Sequence, residues 1–192
     1  MEYPNWFEQT AKHNFEKFLT PLAGQPGLRF LQLGVYTGDA SVWMQDNILK
    51  HKDTCYLFDV DTWQGSDEDE HKAMDFDDVY EFYKSRIKHR DPVFYYRMST
   101  YDFFVRERHR IEGPFDFIYI DADHTTVGVL LDAELSWHHL KSGGIMAFDD
   151  YTWGADMPPD LTPTLGIDLF MARHDGEYQT LAVNEQYWIK KI

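Results

Sequence analysis

The sequence predicts an α/β domain built on a doubly wound, mostly parallel sheet that closes with an antiparallel hairpin. Three observations carry that expectation. From residue 28 onward, short apolar runs alternate with helix-spaced segments, the signature of repeated strand–helix–strand units. The runs are nearly continuous in apolar residues, as strands covered on both faces require. The last stretch breaks the pattern: 178–183 and 186–190 alternate in period two around a short Asn184-Glu185 turn.

Taken in order, residues 6–19 place Phe7, Ala11, Phe15, Phe18 and Leu19 at helical spacing, so a leading amphipathic helix is expected before the Pro21–Gly27 breakers. Strands follow at 28–33, 56–60, 92–96, 115–120 and 145–148. Helices are expected at 39–49, 79–88, 101–108, 126–140 and 165–172. The acidic segment 65–78 and the segment 154–163 read as loops, with Ser142-Gly143-Gly144 closing the helix before the fifth strand. The 192 residues fit one domain, with 1–27 as leading helix and connection and 28–192 as the core.

Composition narrows the function. A formal charge of −15, from 33 acidic and 18 basic residues, repels polyanions over most of the surface, so neither nucleic acid nor an anionic membrane is an expected partner. Arg106, Arg108 and Arg110 make a local basic patch that suits a solvated helix end. Met1-Glu2-Tyr3-Pro4 has neither the basic start nor the apolar run of a signal peptide, and no apolar run approaches the ~20 residues of a membrane span. With one cysteine, Cys55, inside an apolar run, the expected setting is cytoplasmic. The aromatic-rich leading helix leaves a homo-oligomer possible.

In such sheets ligands bind beyond the carboxyl ends of the strands, at the switch in strand order. The first strand end, Gln32 to Ser41, carries Gly34 and Gly38. Two glycines there allow positive φ and close approach of the backbone, and the following helix N-terminus favours an anionic group. The Gly-x-x-x-Gly spacing argues against a pyrophosphate turn. At the second strand end, Asp59 or Asp61 is placed to accept hydrogen bonds from ribose hydroxyls. At the third, Ser99 suits either an adenine edge or the cap of the next helix. The fourth and fifth end in Asp121-Ala122-Asp123-His124 and Asp149-Asp150. Carboxylates gathered at neighbouring tips call for a positive partner, so Asp121, Asp149 and Asp150 are candidate ligands of a hard divalent cation. His124, at the pocket edge, is a candidate acid–base group, as is Asp121.

These runs resemble a known family. Phe30 to Ser41 resembles motif I of class I S-adenosylmethionine-dependent methyltransferases, and Val60-Asp61-Thr62-Trp63-Gln64-Gly65 resembles their second acidic motif. Asp116 to His124 together with Leu140 to Tyr151 is similar to the macrocin-type sugar O-methyltransferase branch. The resemblance implies a Rossmann-like, seven-stranded sheet whose last two strands come from the hairpin. It implies S-adenosylmethionine as cofactor, with Gly34, Gly38 and Ser41 around its methionine part, Asp61 at the ribose and Ser99 near the adenine. Gln32, Tyr36, Asp59 and Asp121 complete the expected cofactor-contacting set. A magnesium-type ion at Asp121, Asp149 and Asp150 is also implied, as is a hydroxyl of a small molecule or sugar as methyl acceptor. Methylation of nitrogen or a carboxylate without metal, or a non-catalytic binding module, are the alternatives. Two departures stand out: Gln32 replaces the usual acid of motif I, and Ala122 replaces a frequent glycine.

Overall fold

The computed structural model describes residues 3–65, 69–90, 92–107, 111 and 113–192. Met1, Glu2, the 66–68 part of the acidic segment and Arg108 and Arg110 of the basic patch lie outside the described residues.

Seven strands form one sheet: β1 (Arg29–Leu33), β2 (Tyr56–Asp61), β3 (Val93–Arg97), β4 (Phe115–Ile120), β5 (Leu140–Phe148), β6 (Tyr178–Val183) and β7 (Tyr187–Lys191). Their order is β3-β2-β1-β4-β5-β7-β6. Strands β1 to β5 are parallel, and β7 runs antiparallel to both β5 and β6. The fold is therefore the expected Rossmann-like α/β sheet with a terminal antiparallel pair. The order reverses between β1 and β4, which opens the crevice at their carboxyl ends.

The two faces of the sheet bury two layers. Leu31, Phe58, Ile118 and Phe148 point one way, under α5 (Thr100–Arg106), α6 (Thr126–Trp137) and α7 (Pro163–Arg173). Phe30, Leu57, Phe117, Ala147 and Trp188 point the other way, under α1 (Lys12–Leu19) and α2 (Asp39–Asn47). A five-residue π-helical turn, Phe7–Ala11, precedes α1. The apolar side of this leading segment faces the chain's own sheet: the Phe15 ring centre lies 4.9 Å from Tyr119 and 5.3 Å from Trp188. Among the described residues no helix is long and apolar enough to cross a membrane.

Several boundaries differ from expectation, the following for local reasons. The acidic segment contains a short helix, α3 (Asp69–Lys72), and α4 (Phe76–Ile87) starts three residues early because Asp75 caps it by accepting from the amides of Asp77 and Asp78. Helix α6 stops at Trp137, and Leu140 already pairs with Phe115 in the sheet. Lys141 to Gly144 then form a bulge before Ile145 pairs with Phe117, and Gly143 supplies the positive φ of 78°. The Ser-Gly-Gly run is thus a strand bulge, not a helix terminator. Pro163 opens α7 at its first position, where a missing N–H costs nothing.

Candidate functional site

At the end of β1 the chain turns sharply into α2. Gly34 has φ +81° and Gly38 has φ +79°. A Cβ on Gly34 would lie 1.8 Å from the Asp121 carbonyl oxygen, and one on Gly38 would lie 2.6 Å from the Tyr83 ring. The sequence reading assigned these glycines to the approach of a ligand. The structure shows that the approach of β4 and of α4 already requires them. Gln32 and Ser41 are buried and face each other: Ser41 Oγ donates to Gln32 Oε1 at 3.1 Å, and Gln32 Nε2 donates to the Gly34 carbonyl at 2.9 Å. Arg86 of α4 braces the turn, donating to the Thr37 carbonyl and pairing with Asp39 at 2.8 Å. No side chain caps α2 at Gly38, so its first N–H groups suit a carboxylate.

The two acids of β2 have different surroundings. Asp59 is fully buried, and Tyr83 Oη donates to its Oδ2 at 2.7 Å. Burial raises its pKa to about 7, with the neighbouring Ser41 hydroxyl and the hydrogen bond from Tyr83 opposing and the charge of Asp61 adding to the rise. Asp61 stands at the strand tip. Its Oδ2 accepts from the amides of Val35 and Tyr36, and its Oδ1 from the amide of Trp63. It thereby ties the β1 turn to the β2 turn. Trp63 Nε1 returns a bond to the Tyr36 carbonyl at 2.9 Å.

Ser99, after β3, caps α5 by accepting from the Asp102 amide at 3.1 Å. It also lines a groove of about 500 Å³ with Thr62, Gln64, Arg97, Met98, Asp102 and Arg106. Both expected uses of Ser99 are thus compatible with its place.

The tips of β4 and β5 gather the acids. Gly34 packs on Asp121, whose amide donates to the Leu33 carbonyl at 2.8 Å. One donor atom each from Asp121, His124 and Asp150 lies within 4.8 Å of the others. His124 Nε2 is 3.2 Å from Asp150 Oδ2 and 3.9 Å from Asp121 Oδ1, and the Trp153 ring stands 5.2 Å from the imidazole. Asp149 is held differently: Tyr119 Oη donates to its Oδ2 at 2.6 Å, and Gln186 Nε2 donates to its Oδ1 at 2.9 Å. Desolvation, then the charge of Asp149, raises the pKa of Asp121. Desolvation also raises that of Asp149, against the pull of Tyr119 and Gln186. The two carboxylates are hard oxygen donors that fit a divalent cation, with the imidazole beside them.

Among the described residues, the non-glycine positions with positive φ are Tyr36, Trp63 and Asp150. All three follow strand tips facing this crevice. Strained backbone of this kind collects at functional sites.

Residues 31–151, more than half of the chain, match a family profile described as a methyltransferase domain.

The chain belongs to that family.

Its matched segment is a methyltransferase domain. Sequence comparison with curated proteins returns no match. Solved structures that share the fold include the O-methyltransferase NovP, with 15% identity and a TM-score of 0.69 over 93% of this chain and 78% of that one. MycE, a methyltransferase of mycinamycin biosynthesis solved with Mg, S-adenosylhomocysteine and mycinamycin VI, has 16% identity and a TM-score of 0.60. All of this chain aligns with 50% of MycE. An rRNA methylase from Streptococcus thermophilus has 12% identity and a TM-score of 0.60, over 94% of this chain and 96% of that one.

Of the residues expected from sequence, the methyltransferase brings Asp121, His124 and Asp150 together and keeps Asp149 beside them on separate partners. Gln32, Ser41 and Asp59 lie beneath the glycine turn, whereas Asp61 and Ser99 stand at strand tips. Sequence reasoning missed Tyr83, Trp63, Tyr119 and Gln186. Only Gln186 left a usable signal: in period two it falls on the same face as Trp188, so a polar residue is due in the core there.

Proposed function

We propose that this methyltransferase moves a methyl group from S-adenosylmethionine to a hydroxyl of a small molecule, with help from a divalent cation of the magnesium type. The observation that supports this reading is the convergence of Asp121, His124 and Asp150 at the crevice beside the glycine turn. The sulfonium supplies an already activated methyl group, and a cation would lower the pKa of a hydroxyl bound to it. The protein's work is to hold and orient the acceptor and to take its proton.

Asp121 and Asp150 are the carboxylates that would hold the cation, with Asp149 offering its remaining lone pairs. His124 Nε2 or the Asp121 carboxylate would accept the proton of the hydroxyl that receives the methyl group. On the cofactor side, the uncapped N-terminus of α2 suits the methionine carboxylate. Asp61 suits the ribose better than the enclosed Asp59 does, and the groove at Ser99 suits the adenine. Trp153, against His124, offers a flat face to a sugar or aromatic ring.

The test is methyl transfer from isotopically labelled S-adenosylmethionine to a panel of sugars, phenols and other hydroxylated compounds, with Mg²⁺ and with chelator. Asp150→Asn should lower kcat by roughly 100-fold or more, yet leave the affinity for S-adenosylhomocysteine within a few-fold. Unchanged turnover in chelator excludes the cation and leaves a metal-independent transferase. Cofactor binding without turnover on any acceptor supports a binding module, and turnover on RNA alone overturns the small-molecule acceptor.

A further inference from the structure

A chain of buried amides runs from the leading helix to Asp149. Asn14 of α1 is 2% exposed, and Gln186 and Trp188 at the start of β7 are fully buried. Gln186 Oε1 accepts from Asn14 Nδ2 at 2.9 Å and from Trp188 Nε1 at 2.8 Å. An indole N–H can only donate, so this pair of bonds settles which end of the Gln186 amide is oxygen. The nitrogen end must then face Asp149, where Nε2 donates to Oδ1 at 2.9 Å. Tyr119 takes the other carboxylate oxygen at 2.6 Å. Asn14 is fixed in turn, since its second hydrogen goes to Asn184 Oδ1 at 3.1 Å.

This arrangement does more than satisfy buried polar groups. The carboxylate of Asp149 is gripped at both oxygens, by Gln186, which Asn14 and Trp188 fix, and by the buried Tyr119, so rotation of its plane is restrained. It lies next in sequence to Asp150, and its backbone amide bonds to the Ile120 carbonyl, immediately before Asp121. Second partners that aim a carboxylate commonly tune a metal or acid–base site.

We propose that Gln186, locked by Asn14 and Trp188, is a positioning residue that aims Asp149 into the acidic pocket, so the leading helix and the last strand jointly set that pocket's geometry. This rests on the methyltransferase reading of the pocket given above. Gln186→Met keeps the length of the side chain and removes the donor. Gln186→Glu keeps the shape and the acceptor for Asn14 and Trp188, but turns an oxygen toward Asp149.

The experiment measures four quantities on the full chain: Kd for S-adenosylhomocysteine by calorimetry, Kd for Mn²⁺ by electron paramagnetic resonance, kcat and KM on an accepted substrate, and Tm. The expected result for Gln186→Met is a roughly 10- to 100-fold loss in kcat and in Mn²⁺ affinity, with S-adenosylhomocysteine affinity unchanged. Gln186→Glu should be worse than Gln186→Met in both, with S-adenosylhomocysteine affinity still unchanged, a split that a packing role would not produce. Should neither fold, Asn14→Ala frees the amide from outside the pocket and should show the same split in smaller degree. Wild-type kcat and Mn²⁺ affinity in Gln186→Met, or equal losses of both affinities in step with Tm, overturn the proposal. A wild-type protein that binds no S-adenosylhomocysteine overturns the functional reading first, and that result is distinct from a tolerant Gln186.

Discussion

Replacing Asp59 with asparagine isolates the cost of keeping a carboxylate beneath the glycine turn. Asp59 has no exposed surface, and its Oδ1 has no hydrogen-bond partner. Burial moves its pKa from 3.8 to about 7. An acid whose folded pKa lies above its unfolded value holds its proton more tightly in the folded state. Its contribution to stability is therefore complete below about pH 4 and is lost as pH rises through about 7. At about 1.4 kcal/mol per pH unit, that interval corresponds to about 4 kcal/mol as an upper bound. Asparagine carries no titrating proton and should escape the loss. Urea unfolding of both proteins between about pH 4 and pH 8 should show the stability of Asp59→Asn, relative to wild type, climbing steadily with pH. Asp132, also buried with its pKa raised to about 7, is present in both proteins and cancels in the difference. A difference that stays flat with pH, or falls, would refute the assignment of a costly buried carboxylate to this position.

Two further outcomes follow from the packing of the crevice. Gly34→Ala forces a left-handed backbone on alanine and drives its Cβ into the Asp121 carbonyl, so unfolding free energy should drop by at least about 2 kcal/mol in urea titration. Phe15→Ala empties a fully buried site ringed by Phe117, Tyr119 and Trp188. It should cost about 3–5 kcal/mol by the same measurement, which shows how firmly the leading helix belongs to the sheet.

Much of the architecture was legible in the chain because it is written in local periodicity. Runs such as Phe115–Ile120 read as doubly covered strands, and the structure buries every residue of that run. The alternation in the last 15 residues marked the antiparallel pair, and the strand-tip rule pointed to Gly34, Asp61, Asp121 and Asp150. Where a strong local signal was missing, the reading slipped. Asp75 was a cap hidden in an acidic run, and Gly143 belonged to a bulge that only the pairing of β4 with β5 reveals.

What lay beyond the sequence was which groups meet. Gln186 and Asn14 stand 172 positions apart, yet share a hydrogen bond, and Tyr83 meets Asp59 across 24. Four aspartates and a histidine at strand ends look alike in one dimension. That Asp121 and Asp150 gather around His124, and that Asp149 beside them is aimed by Tyr119 and Gln186, depends on side chains delivered by distant elements. Periodicity determined the frame of this methyltransferase because backbone pattern is local. Tertiary packing decided its chemistry because the partners of a buried polar atom are chosen by space and not by spacing.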